Sequence, residues 1–224
     1  NIHNQITSYI FDSDIVELRS KLEQNFNLLA TESSSDTSIL LLHGRGLHPS
    51  EPNIIDPLRV DLINVGYNVF SLQLPVLEKG KSYNEYVKIF KYSDTRIESA
   101  LNYIDSKKII IIANSCGAHM LLSFIDNMGI GNISGIVLLG AGAVDKGQAM
   151  KTDINLSNYK IPVLNIYAEY DHNSVKQFAD VLKLQYSISQ DKYLNALEVN
   201  SADHNYKDQT YTLIESVKKW LKAL

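Results

Sequence analysis

The feature that most constrains the fold is a run of four isoleucines, Ile109–Ile112, followed at once by Ala113, Asn114 and Ser115. β-branched side chains favour extended backbone, and a continuous apolar run indicates a strand that is buried on both faces. Apolar positions at helical spacing begin again at Ala118. A buried strand that turns directly into a helix is typical of a parallel sheet covered by helices on both sides.

The same alternation of apolar runs and amphipathic segments continues over most of the chain. Strands are predicted at 38–43, 67–74, 108–113, 134–139, 162–168 and 196–200, and helices at 57–65, 82–106 (with a break near Ser93-Asp94), 175–186 and 211–224. We therefore predict one α/β domain over 38–224, with a mostly parallel central sheet and helices on both faces. Residues 1–37 are interpreted as an N-terminal helical and loop extension packed on that domain, its helix indicated by apolar spacing over 14–29.

The turn at Ser115 carries a small residue two positions before it, Ala113, and another two positions after it, Gly117. Small residues at these positions are typical of a nucleophile elbow, a strained strand-to-helix turn that presents a serine hydroxyl. The usual pattern has glycine at both positions, so Ala113 is a departure from it. The alternative interpretation is an ordinary turn in which Ser115 caps the following helix.

A serine hydroxyl becomes a nucleophile when a base removes its proton, and a carboxylate must orient that base. His204 follows the last predicted strand, and among the six histidines it alone has both the expected order and the expected place. Asp171 follows the strand at 162–168, and we prefer it as the acid to Glu169 and Asp145. A simple helix-capping role for Asp171 is the alternative.

Acyl transfer also requires donors for the negative charge that develops on the carbonyl oxygen. The backbone N–H of Cys116 follows the candidate nucleophile, and the backbone N–H of Arg45, in the loop after the first strand of the domain, is the expected second donor. The Arg45 side chain could also bind an anionic substrate, although a solvated or structural role is equally expected. Cys116 itself is a minor alternative as nucleophile, because Ser115 has the better position relative to Gly117.

These segments together resemble the α/β-hydrolase superfamily over about residues 38–224. The motifs that carry the resemblance are Leu41-Leu42-His43-Gly44, Ala113-Asn114-Ser115-Cys116-Gly117, Pro162-Val163-Leu164 leading to Glu169-Tyr170-Asp171, and Ala202-Asp203-His204. The loop at 43–46 together with 72–75 looks like that of a group of small bacterial hydrolases of unassigned substrate. The resemblance implies a serine hydrolase of carboxylic esters or thioesters with catalytic residues Ser115, Asp171 and His204.

The resemblance leaves two alternatives open, namely a binding module that has lost activity and another acyl-transfer enzyme such as a peptidase or acyltransferase. Only 19 residues (143–161) separate Gly142 from Pro162, so we expect no large cap and an open pocket for a small substrate. The aromatic residues of the helical segment at 82–106 are interpreted as its core face, with a pocket wall as the alternative. They are Tyr83, Tyr86, Phe90 and Tyr92.

Composition restricts the partners. A net charge of −4 argues against nucleic acid or an anionic membrane as the main partner, and no run of 18 apolar residues predicts a transmembrane helix. The single cysteine excludes an internal disulfide and a multi-cysteine metal site. No metal or cofactor is expected. The single cysteine also favours a cytoplasmic compartment, with export as the alternative if a signal peptide was removed before Asn1. The oligomeric state is left open.

Overall fold

The centre of the molecule is an eight-stranded sheet in which all strands but one run in the same direction. The computed structural model describes residues 12–22, 25–151, 155–189 and 194–224. In chain order the strands are β1 (Asp14–Arg19), β2 (Asn25–Thr31), β3 (Thr37–Leu42), β4 (Asn68–Leu72), β5 (Lys108–Asn114), β6 (Ile133–Leu139), β7 (Val163–Ala168) and β8 (Leu194–Val199). Their spatial order is β1-β2-β4-β3-β5-β6-β7-β8, and β2 is antiparallel to both of its neighbours. The predicted mostly parallel sheet is confirmed.

Helices cover both faces of this sheet. The α-helices of the described residues are α1 (Ile55–Asn64), α2 (Tyr83–Val87), α3 (Phe90–Tyr103), α4 (Cys116–Met128), α5 (Asn173–Ser189) and α6 (Thr210–Leu221). Helices α1 and α6 pack on one face, and α2, α3, α4 and α5 pack on the other. None of the helices in this part of the chain is long and apolar enough to cross a membrane.

The isoleucine run in β5 contributes to both halves of the core. Ile109 and Ile111 belong to the cluster under α3 and α4, whereas Ile110 and Ile112 belong to the cluster under α1 and α6. Successive side chains of a strand point to opposite faces, so a strand covered on both sides needs apolar residues at every position. The uninterrupted run therefore reflects the central place of β5 between β3 and β6.

The helix predicted over 14–29 is wrong, because this segment forms strands β1 and β2. Both strands pair in an antiparallel register in which Leu18 lies opposite Phe26, and β2 then pairs with β4. Five consecutive residues of β2 are buried in the sheet. Pairing with β4 outweighs the helical spacing of the apolar residues, since such spacing is a weak determinant beside tertiary packing. The part of the predicted extension at 1–11 lies outside the described residues.

The break predicted near Ser93-Asp94 is also misplaced, because the chain breaks between α2 and α3, at Lys88 and Ile89. Asp94 lies inside α3 and accepts a hydrogen bond from Asn127 Nδ2 on α4 at 2.8 Å. This buried polar contact between two helices explains why an aspartate, a poor helix former, lies within α3. Helix α2 begins instead at a capping box formed by Ser82 and Glu85.

The loops that follow the parallel strands all leave the same edge of the sheet. In a sheet of this kind, ligands bind beyond the carboxyl ends of the strands. The loop after β6 contains one short 3₁₀ helix, Leu156–Tyr159, within its described part. Among the residues that the structure describes, this edge therefore carries no large cap, as the sequence predicts.

Candidate active site

Ser115 occupies a strained turn between β5 and α4. Its backbone has φ 50° and ψ −117°, a region that residues with a side chain rarely adopt. The Ser115 N–H donates to the carbonyl of Leu139 on β6 at 2.7 Å, which fixes the turn against the neighbouring strand. This strand-to-helix turn presents the hydroxyl at the edge of the sheet.

Gly117 allows this turn to approach the neighbouring chain closely. A Cβ at position 117 would lie 2.4 Å from the carbonyl oxygen of His43 and 2.8 Å from that of Leu42. Real Cβ atoms do not approach backbone oxygens so closely, so any larger residue at 117 would displace β3 or α4. Ala113, on the other side of Ser115, is fully buried in β5.

The structure brings together the three side chains that the sequence predicts. The Ser115 Oγ lies 3.0 Å from His204 Nε2, and His204 Nδ1 lies 2.7 Å from Asp171 Oδ1. An ionised carboxylate can only accept, so Nδ1 carries the imidazole proton and Nε2 is left to accept from the serine hydroxyl. This is the tautomer that a general base opposite a serine requires.

Asp171 is positioned by the backbone of its own loop. Its side chain is fully buried, and its Oδ1 also accepts the backbone N–H of His172 at 2.8 Å. The two other acids considered from the sequence have different partners. Glu169 accepts the backbone N–H of Ser201, and Asp145 pairs with Arg45.

Gly140, the first residue after β6, lies directly against His204. It has φ +57°, and a Cβ there would lie 2.9 Å from Cε1 and 3.1 Å from Nδ1 of His204. Any side chain at this position would push the imidazole away from Asp171 or Ser115. Gly140 was not predicted as a site residue, although a glycine directly after a buried strand is a signal that could have identified it.

The expected oxyanion donors border the same space as the serine. Cys116 is the first residue of α4, and Gly44 packs so close to Ser115 that a Cβ on it would be 3.5 Å from the serine Cβ. The loop that holds Arg45 therefore runs beside Ser115. The Cys116 thiol is buried, and burial raises its pKa to about 12, which keeps it in the unreactive neutral form.

The Arg45 side chain binds a residue of the protein. Its guanidinium donates to both carboxylate oxygens of Asp145, at 2.8 and 2.9 Å, and the side chains of both residues remain about one-third exposed. Asp145 Oδ2 also accepts the backbone N–H of Tyr83 at 2.6 Å. Asp145 thus connects the loop after β3 to the loop after β6 and to the start of α2.

Two other histidines lie beneath the site and are fully buried. His43 Nε2 accepts the N–H of Leu74, and His119 Nε2 accepts the N–H of Gly142 at 2.8 Å. Burial lowers the pKa of His43 to about 4 and that of His119 to about 3, so both are neutral at pH 7. They support the loops after β4 and β6.

A scan against protein-family models and a search of curated proteins gave no match. Solved structures do match. An esterase of Pyrococcus furiosus is similar with a TM-score of 0.71 and 16% identity, covering 95% of this chain and 91% of that chain. An esterase of Rhodococcus sp. has a TM-score of 0.71 and 16% identity, covering 94% and 99%. A protein of Agrobacterium tumefaciens, described as an α/β-hydrolase candidate of unknown function, has a TM-score of 0.66 and 14% identity, covering 93% and 95%.

This chain has the α/β-hydrolase fold. Identities this low establish the fold alone, and the chemistry must be argued from the site. Above Ser115 the fold leaves an open cavity of about 490 Å³. Residues from six different segments line it, among them Arg45, Tyr83, Ser115, Asp145, His172 and His204.

Three of the four aromatic residues predicted as a core face are buried in the core of this α/β-hydrolase fold, namely Tyr83, Tyr86 and Phe90. Tyr92 is only half-buried and lies outside the core cluster, so the prediction is wrong for this residue. Tyr83 in addition reaches the cavity wall, and its hydroxyl accepts the backbone N–H of Lys151. Both interpretations, core face and pocket wall, therefore apply to Tyr83.

Proposed function

We propose that this protein is a serine hydrolase that cleaves carboxylic esters through an acyl-enzyme on Ser115. The observation that carries the proposal is the continuous chain of hydrogen bonds from Asp171 through His204 to Ser115, with lengths of 2.7 and 3.0 Å. The similarity in fold to proteins described as esterases agrees with it.

In the proposed acylation step, Ser115 Oγ attacks the ester carbonyl carbon while its proton moves to Nε2 of His204. The imidazolium that forms is stabilised by the buried carboxylate of Asp171. The carbonyl π electrons move to the oxygen, and they return when the bond to the alcohol breaks. The proton on Nε2 then goes to the departing alcohol, leaving an ester on Ser115 and a neutral imidazole.

Deacylation repeats these movements with water in place of the serine hydroxyl. His204 removes a proton from water, the resulting hydroxide attacks the acyl carbon, and the proton returns to Oγ as the acid leaves. In both steps we assign the stabilisation of the oxyanion to the backbone N–H groups of Cys116 and Arg45. Removal of one such donor typically costs about 10²–10³-fold in rate, so these two groups are a major part of the proposal.

The substrate class follows from the shape of the site. The described residues place no large cap over the cavity, which suits a small acyl group or an acyl group carried on a larger molecule. Thioesters react by the same attack and have a better leaving group, so they are included in the proposal. Hydrolysis of a series of p-nitrophenyl esters and the corresponding thioesters would measure the preferred acyl length and leaving group.

Labelling with a fluorophosphonate probe tests the nucleophile directly. Wild-type protein should be labelled at Ser115 and should hydrolyse short p-nitrophenyl esters. Ser115→Ala should abolish labelling, and His204→Ala should lower kcat by roughly 10³-fold or more. Cys116→Ala is the matched control, because the proposal uses only the backbone N–H of that residue. Labelling that survives in Ser115→Ala would disprove the assignment.

The same experiment separates the proposal from the interpretation as a binding module that has lost activity. That interpretation is motivated by Ala113 in place of the usual glycine of the elbow. Wild-type protein that is folded but neither labelled nor active on any ester or thioester would support it.

A further inference from the structure

We propose that Asp171, His172 and His204 form a binding site for a divalent transition-metal cation, with Zn²⁺ as the best-fitting ion, and that the bound ion inhibits the hydrolase. Each of the three side chains offers a ligand atom, and these atoms all lie within 4.8 Å of one another. The imidazole rings of His172 and His204 contact each other, with 4.9 Å between their centroids.

The donor set selects the type of ion. Two imidazole nitrogens and one carboxylate oxygen are ligands that Zn²⁺ prefers, whereas Mg²⁺ and Ca²⁺ prefer oxygen ligands alone. Three protein ligands leave the fourth position of a tetrahedral ion to water or another small molecule. His172 and His204 both line the open cavity, so that position would face solvent.

The required movement is small. Ligand atoms in a zinc site lie about 2.0–2.2 Å from the ion, so neighbouring ligands are roughly 3.5 Å apart. The three ligand atoms, which are up to 4.8 Å apart, therefore need to move closer by a distance on the order of 1 Å. His172 can supply it, because its side chain is exposed while its backbone N–H is fixed to Asp171 Oδ1.

The local charges do not oppose a cation. The Asp171 carboxylate is part of the site, and Asp145 interacts electrostatically with His172. The guanidinium of Arg45, which also lines the cavity, is already paired with Asp145 at 2.8 Å. Lys146 also lines the cavity, and it contributes the remaining positive charge there.

Inhibition follows from the bonds that the ion would replace, and this part of the proposal rests on the proposed function. If the ion binds Nδ1 of His204, it displaces the proton shared with Asp171, and that proton passes to solvent. If it binds Nε2, it takes the lone pair that accepts from Ser115. In either case a Zn–N bond forms in place of a hydrogen bond that the general base requires.

Isothermal titration calorimetry with ZnCl₂ tests the site without reference to activity. Wild-type protein should bind one Zn²⁺ per chain, and His172→Gln should weaken binding by at least about tenfold, since loss of even an outer-shell partner costs 10–100-fold in metal affinity. Because His172 is exposed, this substitution leaves the core unchanged. His48→Gln is the matched control, because His48 lies outside the cavity and bonds to Ser50.

A hydrolysis assay then tests the inhibition. Zn²⁺ should inhibit wild type and His48→Gln alike, and inhibition of His172→Gln should require at least about tenfold more Zn²⁺. Equal concentrations of Mg²⁺ should leave wild-type activity unchanged. No saturable Zn²⁺ binding by wild type, or equal affinity in His172→Gln, would overturn the site. Binding that needs His172 but leaves hydrolysis unaffected would overturn the inhibition. If the protein proves to have no hydrolase activity, the calorimetric comparison alone decides the metal site.

Discussion

The floor and the rim of the candidate site are held in place by different forces. We define the floor as Gly117, His119 and Gly140, which lie beneath Ser115 and His204, and the rim as Arg45 and Asp145, which border the cavity mouth. At the floor, a single added methyl group would come within 2.4 Å of a backbone oxygen. At the rim, the two side chains form an ion pair that is about one-third exposed to solvent.

The floor therefore fixes the positions of Ser115 and His204, whereas the rim contributes a weaker interaction at the cavity mouth. Steric contacts between buried atoms cannot relax without moving whole strands, because protein interiors are close-packed. An exposed ion pair contributes only about 0–1 kcal/mol, since water and salt compete with it. Substitutions in the floor should therefore have much larger effects than substitutions in the rim.

The largest effect is expected for Gly140→Ala. The new Cβ would displace the His204 imidazole, and a misplacement of about 1 Å in a catalytic group can cost roughly 10²-fold in rate. We therefore expect kcat for a short p-nitrophenyl ester to fall by about 10²-fold while KM changes little. Steady-state kinetics on the purified variant would measure this.

The matched control for this prediction is Gly131→Ala. Gly131 has nearly the same φ, +56° against +57° for Gly140, but no atom lies within 4 Å of its ideal Cβ position. It therefore carries the same backbone strain without the contact to His204. If both variants lost activity equally, backbone strain and not the contact with His204 would explain the loss.

The next effect concerns stability against acid, which arises from the floor. Burial lowers the pKa of His119 from 6.5 in the unfolded chain to about 3 in the folded protein. Below pH 6.5 the unfolded chain binds a proton at His119 that the folded protein does not bind. The contribution of His119 to the free energy of unfolding is therefore complete above pH 6.5 and is lost as the pH falls. Replacing His119 with Gln should make the free energy of unfolding less dependent on pH, by up to about 1.4 kcal/mol per pH unit.

Urea unfolding at several pH values between 6 and 4 would measure this slope. Leu58→Ala, in the buried face of α1, serves as a control that removes stability without removing a titrating group. Its curve should run parallel to that of wild type. A His119→Gln curve that is also parallel to wild type would contradict the prediction.

The smallest effect is expected at the rim, for Asp145→Asn. The amide can still accept the N–H of Tyr83, and only the charge opposite Arg45 is lost. Because an exposed pair contributes at most about 1 kcal/mol, kcat/KM should fall by no more than about fivefold. Asp36→Asn, which removes another exposed ion pair distant from the site, should have no effect. A 10²-fold loss of kcat/KM in Asp145→Asn would show that substitutions in the rim affect activity as strongly as substitutions in the floor.

Much of the fold and of the site could be predicted from the sequence, because their signals are local. The continuous apolar run at Ile109–Ile112 indicates a strand covered on both faces, and such strands place their following loops at one edge. Ser115, Asp171 and His204 each follow one of these strands, and the structure places them within hydrogen-bonding distance. Their roles in catalysis remain a proposal.

The features that the sequence analysis missed depend on contacts between distant segments. Strands β1 and β2 have apolar spacing that also fits a helix, and only pairing with β4 distinguishes the two structures. Gly140 lies against His204 although 64 positions separate them in the chain. The partner of Arg45 is Asp145, 100 residues later, so the sequence alone left the role of that side chain open.

The order of the three residues along the chain determines when the site can first exist. Protein synthesis delivers Ser115 first, Asp171 next and His204 last, and each depends on a different strand of the sheet. A growing chain that ends before residue 204 can already contain all eight strands, the last of which ends at Val199, and the turn at Ser115. It nevertheless lacks the imidazole that lies beside Ser115, so under the proposed mechanism the hydroxyl has no base until the whole sheet has been made.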